Sequence, residues 1–334
     1  MSSFCFSHFF SLQKAKISIS EPHNFLIYNH ISILNTLSHV SFRLHCAHNL
    51  GNIFNVFVPI GGAIFLVLAM TSFTMNFLGS GNARSKPPVN YNTNVLVTAP
   101  HGKWLIDCGI MGPLALKNAG VQTTDIQAAF ITHMHGDHVF GIEEILFESY
   151  FRLHRKFGLL LPSPFIDPNN EKGEHFWNNY LRASMTSAVL QQDESYVQLQ
   201  LEDYADVREI CPEKAYDFFG VPVRIFPVLH IWNRSSFGIC LDERVFYTSD
   251  TTFSRQAIES YLEQGAEIIF HDVSFLPKKN GGVHAAFDDL KTLPREWAEK
   301  IVFMHYDDFV TSEQKKVAED LGFRLAGCGQ VFQF

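Results

Sequence analysis

Three imidazoles and a carboxylate fall within the six residues His133-Met134-His135-Gly136-Asp137-His138. Nitrogen and oxygen donors at this spacing suit divalent zinc. In an extended segment, residues two apart point to the same side, so His133 and His135 can share one ion. The chain turns at Gly136 and offers Asp137 and His138 to a second position. Two ions that share a water lower its pKa from about 15.7 towards 7, which gives hydroxide at neutral pH.

The elements around this segment must hold it. Residues 127–132 read as a buried strand and 139–155 as a helix, so the histidines sit where a strand end feeds a helix start. Downstream, the apolar run 221–229 leads into His230 and the run 300–304 into His305. Residues 237–241 and 244–247 read as a hairpin around Asp242-Glu243, with Asp250 three residues beyond. Upstream, 73–78 reads as a first strand, and 94–98 and 103–106 as a hairpin. Asp107 follows that hairpin, and 112–118 reads as a short helix that stops at Gly120.

A His-x-His-x-Asp-His run after a buried strand resembles the signature of the metallo-β-lactamase-fold hydrolases. The resemblance implies an α/β protein, an αβ/βα four-layer sandwich, over residues 73–334. It implies two Zn2+ ions, with Mn2+ as the other ion this donor set would take. One ion would bind His133, His135 and His230; the other would bind Asp137, His138 and His305; Asp250 would bridge them. Asp107 matches the family's first acidic motif, which orients the ligand loop and does not touch metal.

Within this family the segments around the later ligands resemble ribonuclease Z and its relatives. His230-Ile-Trp-Asn-Arg-Ser-Ser-Phe-Gly238 is similar to their His…Gly-Tyr pattern, and His271-Asp272-Val-Ser274 to their His-Glu-Ala-Thr motif. Gly282-Val-His284-Ala285 resembles their His-Ser-Thr motif, with alanines in place of the hydroxyl residues. The resemblance implies phosphodiester hydrolysis by a hydroxide shared between the ions. His284 is the candidate proton donor to the phosphoryl or leaving group, Asp272 the residue that orients it, and Asp137 a catalytic residue as well as a ligand. Trp232 and Arg234, just after a ligand, are candidates to stack on a base or contact phosphate.

Ribonuclease Z usually carries a long tRNA-gripping arm between its ligand His and bridging Asp. Here a short hairpin joins His230 to Asp250. Of the 26 Lys and Arg only three precede residue 73, and of the 34 Asp and Glu only one does, so the remainder carries a formal charge of −10. Nucleic acid is disfavoured, because phosphate contacts need a basic face. The expected substrate is a small anionic phosphodiester such as a cyclic nucleotide, hydrolysed by a compact enzyme that forms a homodimer. A tRNA 3′-processing endonuclease and an ester, lactone or thioester hydrolase of the same fold are the other readings.

Residues 157–215 read as an insert that caps the site or makes the dimer contact. It follows a basic cluster of Arg152, His154, Arg155 and Lys156 and includes a helix over 175–190. Gly79-Ser80-Gly81-Asn82 lacks the Lys and hydroxyl residue of a phosphate loop and reads as a tight turn near the metal pocket. The six cysteines show no paired spacing, which suits a reducing cytoplasm. Residues 1–72 differ in composition, and 53–73 is apolar enough to be a membrane anchor. The preferred reading places the natural start near Met70 or Met75; only a genuine 53–73 segment would bring a membrane partner.

Overall fold

The structure is a computed structural model that describes residues 71–163, 176–191, 193–212, 214–231, 234–277 and 282–334. It also describes four strands before residue 70. The chain divides into two units, Met1–Ala69 and Met70–Phe334. In the first, Ser2–Cys5 pairs with Lys16–Ile19, and Asn55–Ile60 pairs with Ala63–Leu68, both antiparallel. The apolar 53–73 segment thus contains a strand pair; its other residues up to 70 lie outside the described ones. Among the described residues no helix is long and apolar enough to cross a membrane.

The second unit holds two seven-stranded mixed sheets. In the first sheet the order is Ala205–Ile210, Phe157–Pro162, Ala128–Phe130, Gly102–Ile106, Asn94–Ala99, Thr74–Gly79 and Val331–Gln333. In the second it is Tyr216–Phe218, Val221–Ile231, Arg234–Leu241, Val245–Tyr247, Ile268–Asp272, Ile301–Met304 and Arg324–Leu325. Side chains from both sheets, among them Phe77, Trp104, Phe130, Phe237, Tyr247 and Phe270, form one buried core. Full burial of such a side chain stabilises the fold by about 1.5–3 kcal/mol.

Helices cover the outer face of each sheet. Gly112–Asn118 and Ile142–Phe147 pack on the first through Ala115, Leu116, Ile142 and Leu146. Arg255–Glu263 and Ser312–Asp320 pack on the second through Ile258 and Ala318. The result is the four-layer α/β sandwich with a metallo-β-lactamase fold. Strands buried on both faces have no solvated side to alternate with. Ile268–Asp272 and Ile301–Met304 are accordingly buried at every position.

Two expectations need correction. Residues 157–215 are not an insert throughout, because Phe157–Pro162 and Ala205–Ile210 are parallel neighbours at the edge of the first sheet. Only the interval between them stands apart, and within it the helix Phe176–Met185 gives way to a strand, Ser187–Leu190, paired with Tyr196–Leu199. The β-branched and alternating residues of 187–199 favour a hairpin over continued helix. The helix expected over 139–155 is also broken. Gly136–Val139 is separated from Ile142–Phe147 at Gly141, and a π-helical turn, Glu148–Arg152, follows.

Candidate metal centre and active site

The side chains singled out in the sequence gather where strands of both sheets end. Parallel strands in layered α/β folds leave a crevice at their carboxyl ends. Asp107 follows Gly102–Ile106, His133 to His138 follow Ala128–Phe130, Asp250 follows Val245–Tyr247, and His305 follows Ile301–Met304. His230 lies within Val221–Ile231, where the register with the neighbouring strand shifts between Val228 and Ile231. A bulge of this kind re-aims a side chain, and here it turns His230 into the crevice.

Two donor sets result, and they share one residue. His133, His135, His230 and Asp250 form the first; Asp137, His138, Asp250 and His305 form the second, with the donor atoms of each set within 4.8 Å of one another. In the first, His135 Nδ1 lies 3.0 Å from His133 Nε2 and 3.2 Å from His230 Nε2. Asp250 Oδ2 lies 3.8 Å from His133 Nε2 and 3.6 Å from His230 Nε2. In the second, His138 Nε2 is 3.4 Å from Asp137 Oδ2 and 3.3 Å from Asp250 Oδ1. His305 Nε2 is 3.1 Å from Asp250 Oδ2 and 3.7 Å from Asp137 Oδ2.

These arrangements fit a divalent ion. Donors around a tetrahedral zinc stand roughly 3.3 Å apart when the bonds are about 2.0–2.1 Å, which falls inside the range found. In the first set the Nε2 atoms of His133 and His230 both face His135 Nδ1, whose one proton could serve only one of them. His133 Nδ1 meets the Thr132 hydroxyl at 3.0 Å, and His230 Nδ1 meets the Val283 carbonyl at 2.8 Å. Both Nδ1 atoms donate in the tautomers this assigns, so each Nε2 turns a lone pair inward. In the second set the buried His138 Nε2 and Asp250 Oδ1 have no hydrogen-bond partner, a costly state for polar atoms unless a cation satisfies them.

The charges agree with this reading. Burial, assisted by the neighbouring His138, holds the His133 ring well below the ordinary imidazole range. Burial also lowers His230, and takes His135 to about 4 with the help of His230. All three are neutral donors at neutral pH. Burial works against a charged His138, yet the carboxylates of Asp250, Asp137 and Asp107 outweigh it and raise that ring well above its usual value. Burial likewise opposes ionised Asp137 and Asp250, but the neighbouring rings hold both below the usual carboxylate range. Three carboxylates packed this closely call for positive charge between them.

Asp107 orients the loop from behind. Its Oδ2 lies 2.7 Å from His138 Nδ1 and accepts the Thr132 hydroxyl, while Oδ1 accepts the Thr132 amide, both at 2.8 Å. Ser249, beside Asp250, donates its hydroxyl to Thr132 Oγ1 at 2.8 Å. Asp107, Ser249 and His305 all have left-handed backbones, with φ of 64°, 54° and 60°. Such conformations are strained for residues with a Cβ and gather at functional sites.

The Asp107 turn is zipped to the ligand helix by Cys108 N to His138 O at 2.8 Å and Ile110 N to Gly136 O at 3.0 Å. A Cβ on Gly109 would sit 1.8 Å from the Asp137 carbonyl oxygen. Gly109→Ala is therefore expected to destabilise the chain by about 1–3 kcal/mol through overpacking. Metal affinity should fall about 10–100-fold, as when outer supports of ligands are disturbed. Thermal unfolding and competitive metal titration check both.

Asp272 and His284 come together beside the donor sets. Asp272 is fully buried, and its Oδ2 accepts the Thr251 amide at 3.0 Å and lies 2.8 Å from His284 Nδ1. Burial opposes charge on His284, but the Asp272 carboxylate prevails and lifts the ring to about 9. The His284 ring centroid stands 5.1 Å from that of His230 and 5.3 Å from that of His305. His271 stays out of the site; its Nδ1 bonds the Asp272 carbonyl at 2.7 Å.

A cleft of about 290 Å3 opens over these groups, and His135, Asp137, His230, Asp250, His284 and His305 all line it. Asn82, Arg84, Ser274 and Asp307 line it too, and the sequence marks neither Arg84 nor Asp307. Gly81 bridges to Tyr306, so the 79–82 turn packs beside the His305 segment. Trp232 and the side chain of Arg234 lie outside the described residues. The basic cluster serves local ties: Arg152 pairs with Glu148, Arg155 bonds the Thr123 and Ile126 carbonyls, and Lys156 bonds the Glu202 carbonyl.

Residues 73–332 match the family model described as anti-Pycsar protein Apyc1. A protein of that name from Saccharibacillus brassicae is 34% identical over 235 residues, covering 70% of this chain and 90% of its own. Another from Bacillus phage vB_BveM-Goe7 is 34% identical over 259 residues, covering 73% and 92%. Among solved structures, the metallo-β-lactamase fold protein YhfI from Bacillus subtilis shares the fold. It has a TM-score of 0.59 at 13% identity and covers 79% of this chain and 100% of its own. The chain belongs to the anti-Pycsar Apyc1 family and is a metal-dependent hydrolase of the metallo-β-lactamase fold.

Proposed function

We propose that the chain hydrolyses the phosphodiester bond of a cyclic nucleotide with the help of two divalent ions, zinc in the first instance. The observation that carries this reading is a pair of donor sets joined through Asp250, with the Asp272–His284 pair opening on the same cleft. His133, His135, His230 and Asp250 would hold one ion, and Asp137, His138, Asp250 and His305 the other. Ions so held supply Lewis acidity towards water and phosphoryl oxygen.

The protein's own groups do the rest. With Nδ1 given to Asp272, the His284 imidazolium carries its other proton on Nε2 and donates it to the departing ribose oxygen. Val283 ties this histidine's loop to His230, so acid and ligand keep a fixed separation. Asp107 and Thr132 hold His138 and His133 with their Nε2 atoms inward.

Substrate size favours the small ligand over pre-tRNA. A cleft of about 290 Å3 matches the lower end of small-molecule sites. Between His230 and Asp250 the chain runs through the strands Arg234–Leu241 and Val245–Tyr247, which leaves no room for an RNA-gripping arm. Membership of the anti-Pycsar family supports a phosphodiesterase-like hydrolase.

The test is incubation of metal-loaded protein with cyclic mono- and dinucleotides, a pre-tRNA, and p-nitrophenyl esters and lactones. Chromatography should find linear nucleotide monophosphate formed at the highest kcat/KM. Turnover of the carbonyl substrates with no nucleotide hydrolysis would contradict the reading.

A further inference from the structure

Arg84 is the only Lys or Arg among the described residues that line the cleft, where Asp137, Asp250 and Asp307 supply carboxylates. It stands in a loop clamped to the segment that follows the ligand His305. The Asn82 amide bonds the Tyr306 carbonyl at 3.3 Å, and the Lys86 amide bonds Asp308 Oδ2 at 2.8 Å. Asn82 Oδ1 accepts the Arg84 amide at 2.9 Å and so fixes the turn. The Arg84 guanidinium pairs with Asp307 through Nη2, and the Asp307 side chain is 7% exposed against 60% for Arg84.

The pair is poorly explained by stability. An ion pair with one partner this exposed contributes little to folding. A guanidinium offers five N–H donors, and the contact with Asp307 engages only one edge. The exposed remainder of a donor-only group is held over a cleft whose floor is acidic or metal-binding. A planar fork of this kind suits a base edge with two adjacent acceptors, such as O6 and N7 of guanine or O2 and N3 of cytosine.

We propose that Arg84, anchored by Asp307, is the nucleobase-recognition residue of the cleft. Asp307 fixes the guanidinium at the rim, and the free donors engage the base while the phosphodiester lies over the metal-binding residues. The assignment rests on the cyclic-nucleotide reading above, and it names the part of the substrate that the metal ligands do not touch.

The test compares wild-type, Arg84→Ala and Arg84→Lys proteins, all metal-loaded, on 3′,5′-cyclic GMP, 3′,5′-cyclic CMP and bis-p-nitrophenyl phosphate. Binding of each cyclic nucleotide is measured by calorimetry beside turnover. Arg84→Ala should raise KM and Kd for the cyclic nucleotides about tenfold or more, the scale of one bidentate guanidinium–base contact. Its kcat should stay within about twofold, and its kinetics on bis-p-nitrophenyl phosphate, which has no base, should stay with the wild type. Arg84→Lys keeps charge without the fork and should recover only part of the loss. An unchanged KM and Kd, or an equal loss on the base-free substrate, would overturn the assignment. A wild-type protein that binds cyclic nucleotides without cleaving them would overturn the function and leave Arg84 tested by Kd. One that neither binds nor cleaves them would overturn both.

Discussion

Asp250→Ala is expected to lower kcat by on the order of a thousandfold or more, and to do so by emptying both metal positions. Asp250 is the one side chain common to the two donor sets. Its Oδ1 faces His138, and its Oδ2 faces His133, His230 and His305. Removing it leaves imidazoles facing one another across a gap with no shared anion. Bound ions contribute several kcal/mol of charge stabilisation in the transition state, and each 1.4 kcal/mol is about tenfold in rate. Elemental analysis should find well under one ion per chain. Asp250→Asn keeps the volume and serves as the check on folding; it should lose metal as well, because an amide brings less charge and turns a donor towards the ring nitrogens. A variant that keeps two ions with wild-type turnover would contradict the bridging role.

The second large effect separates acid catalysis from metal binding. His284→Ala should keep the metal content of the parent and lose about 10²–10⁴-fold in kcat, the usual worth of a positioned proton donor. His284 contacts Asp272 and stands beside the ligand rings without joining either donor set. The pH profile carries the sign. His284 acts while protonated, so rate falls as pH rises through its pKa, which burial opposes and Asp272 lifts to about 9. In Asp272→Asn the lifting charge is gone and the burial remains, so the alkaline limb must move to lower pH. Metal loss from His284→Ala equal to its rate loss, or an alkaline limb that stays in place in Asp272→Asn, would remove His284 from the chemistry.

The donors themselves were legible in the sequence because each one closes an apolar run. His133 to His138 follow a buried strand, His230 lies near the end of another, and Asp250 and His305 follow later ones. Sequence spacing alone could locate strand ends, and parallel strands buried on both faces, such as Ile301–Met304, read as unbroken apolar runs. Less legible was how the ends turn inward. Asp and His adopt the left-handed backbones found at Asp107 and His305 more readily than most residues with a Cβ, but the sequence does not mark which Asp, Ser or His does so. The bulge that aims His230 is a property of pairing between two strands. Its hydrogen bond to Val283 spans 53 residues, and no local pattern announces it.

The same reason accounts for the errors and omissions. Phe157–Pro162 and Ala205–Ile210 lie far apart in sequence, and only their parallel pairing makes them part of the first sheet. Position 141, in the gap between the two helices, admits only glycine because a Cβ there would meet the Gly109 carbonyl oxygen at 2.2 Å, a contact set by a distant loop. In the sequence Arg84 is a lone arginine after a turn. Its place in the cleft depends on the Gly81–Tyr306 bridge and the Asp307 contact, 223 residues away.

The most direct measurement is a metal titration of chelator-stripped protein, with bound ion counted by elemental analysis and cyclic-nucleotide hydrolysis followed at each step. The structure predicts that activity returns in step with about two equivalents of zinc per chain, the number of ions a two-metal site holds. Protein that hydrolyses the substrate fully with no transition metal, or that takes up none with its fold intact, would contradict it.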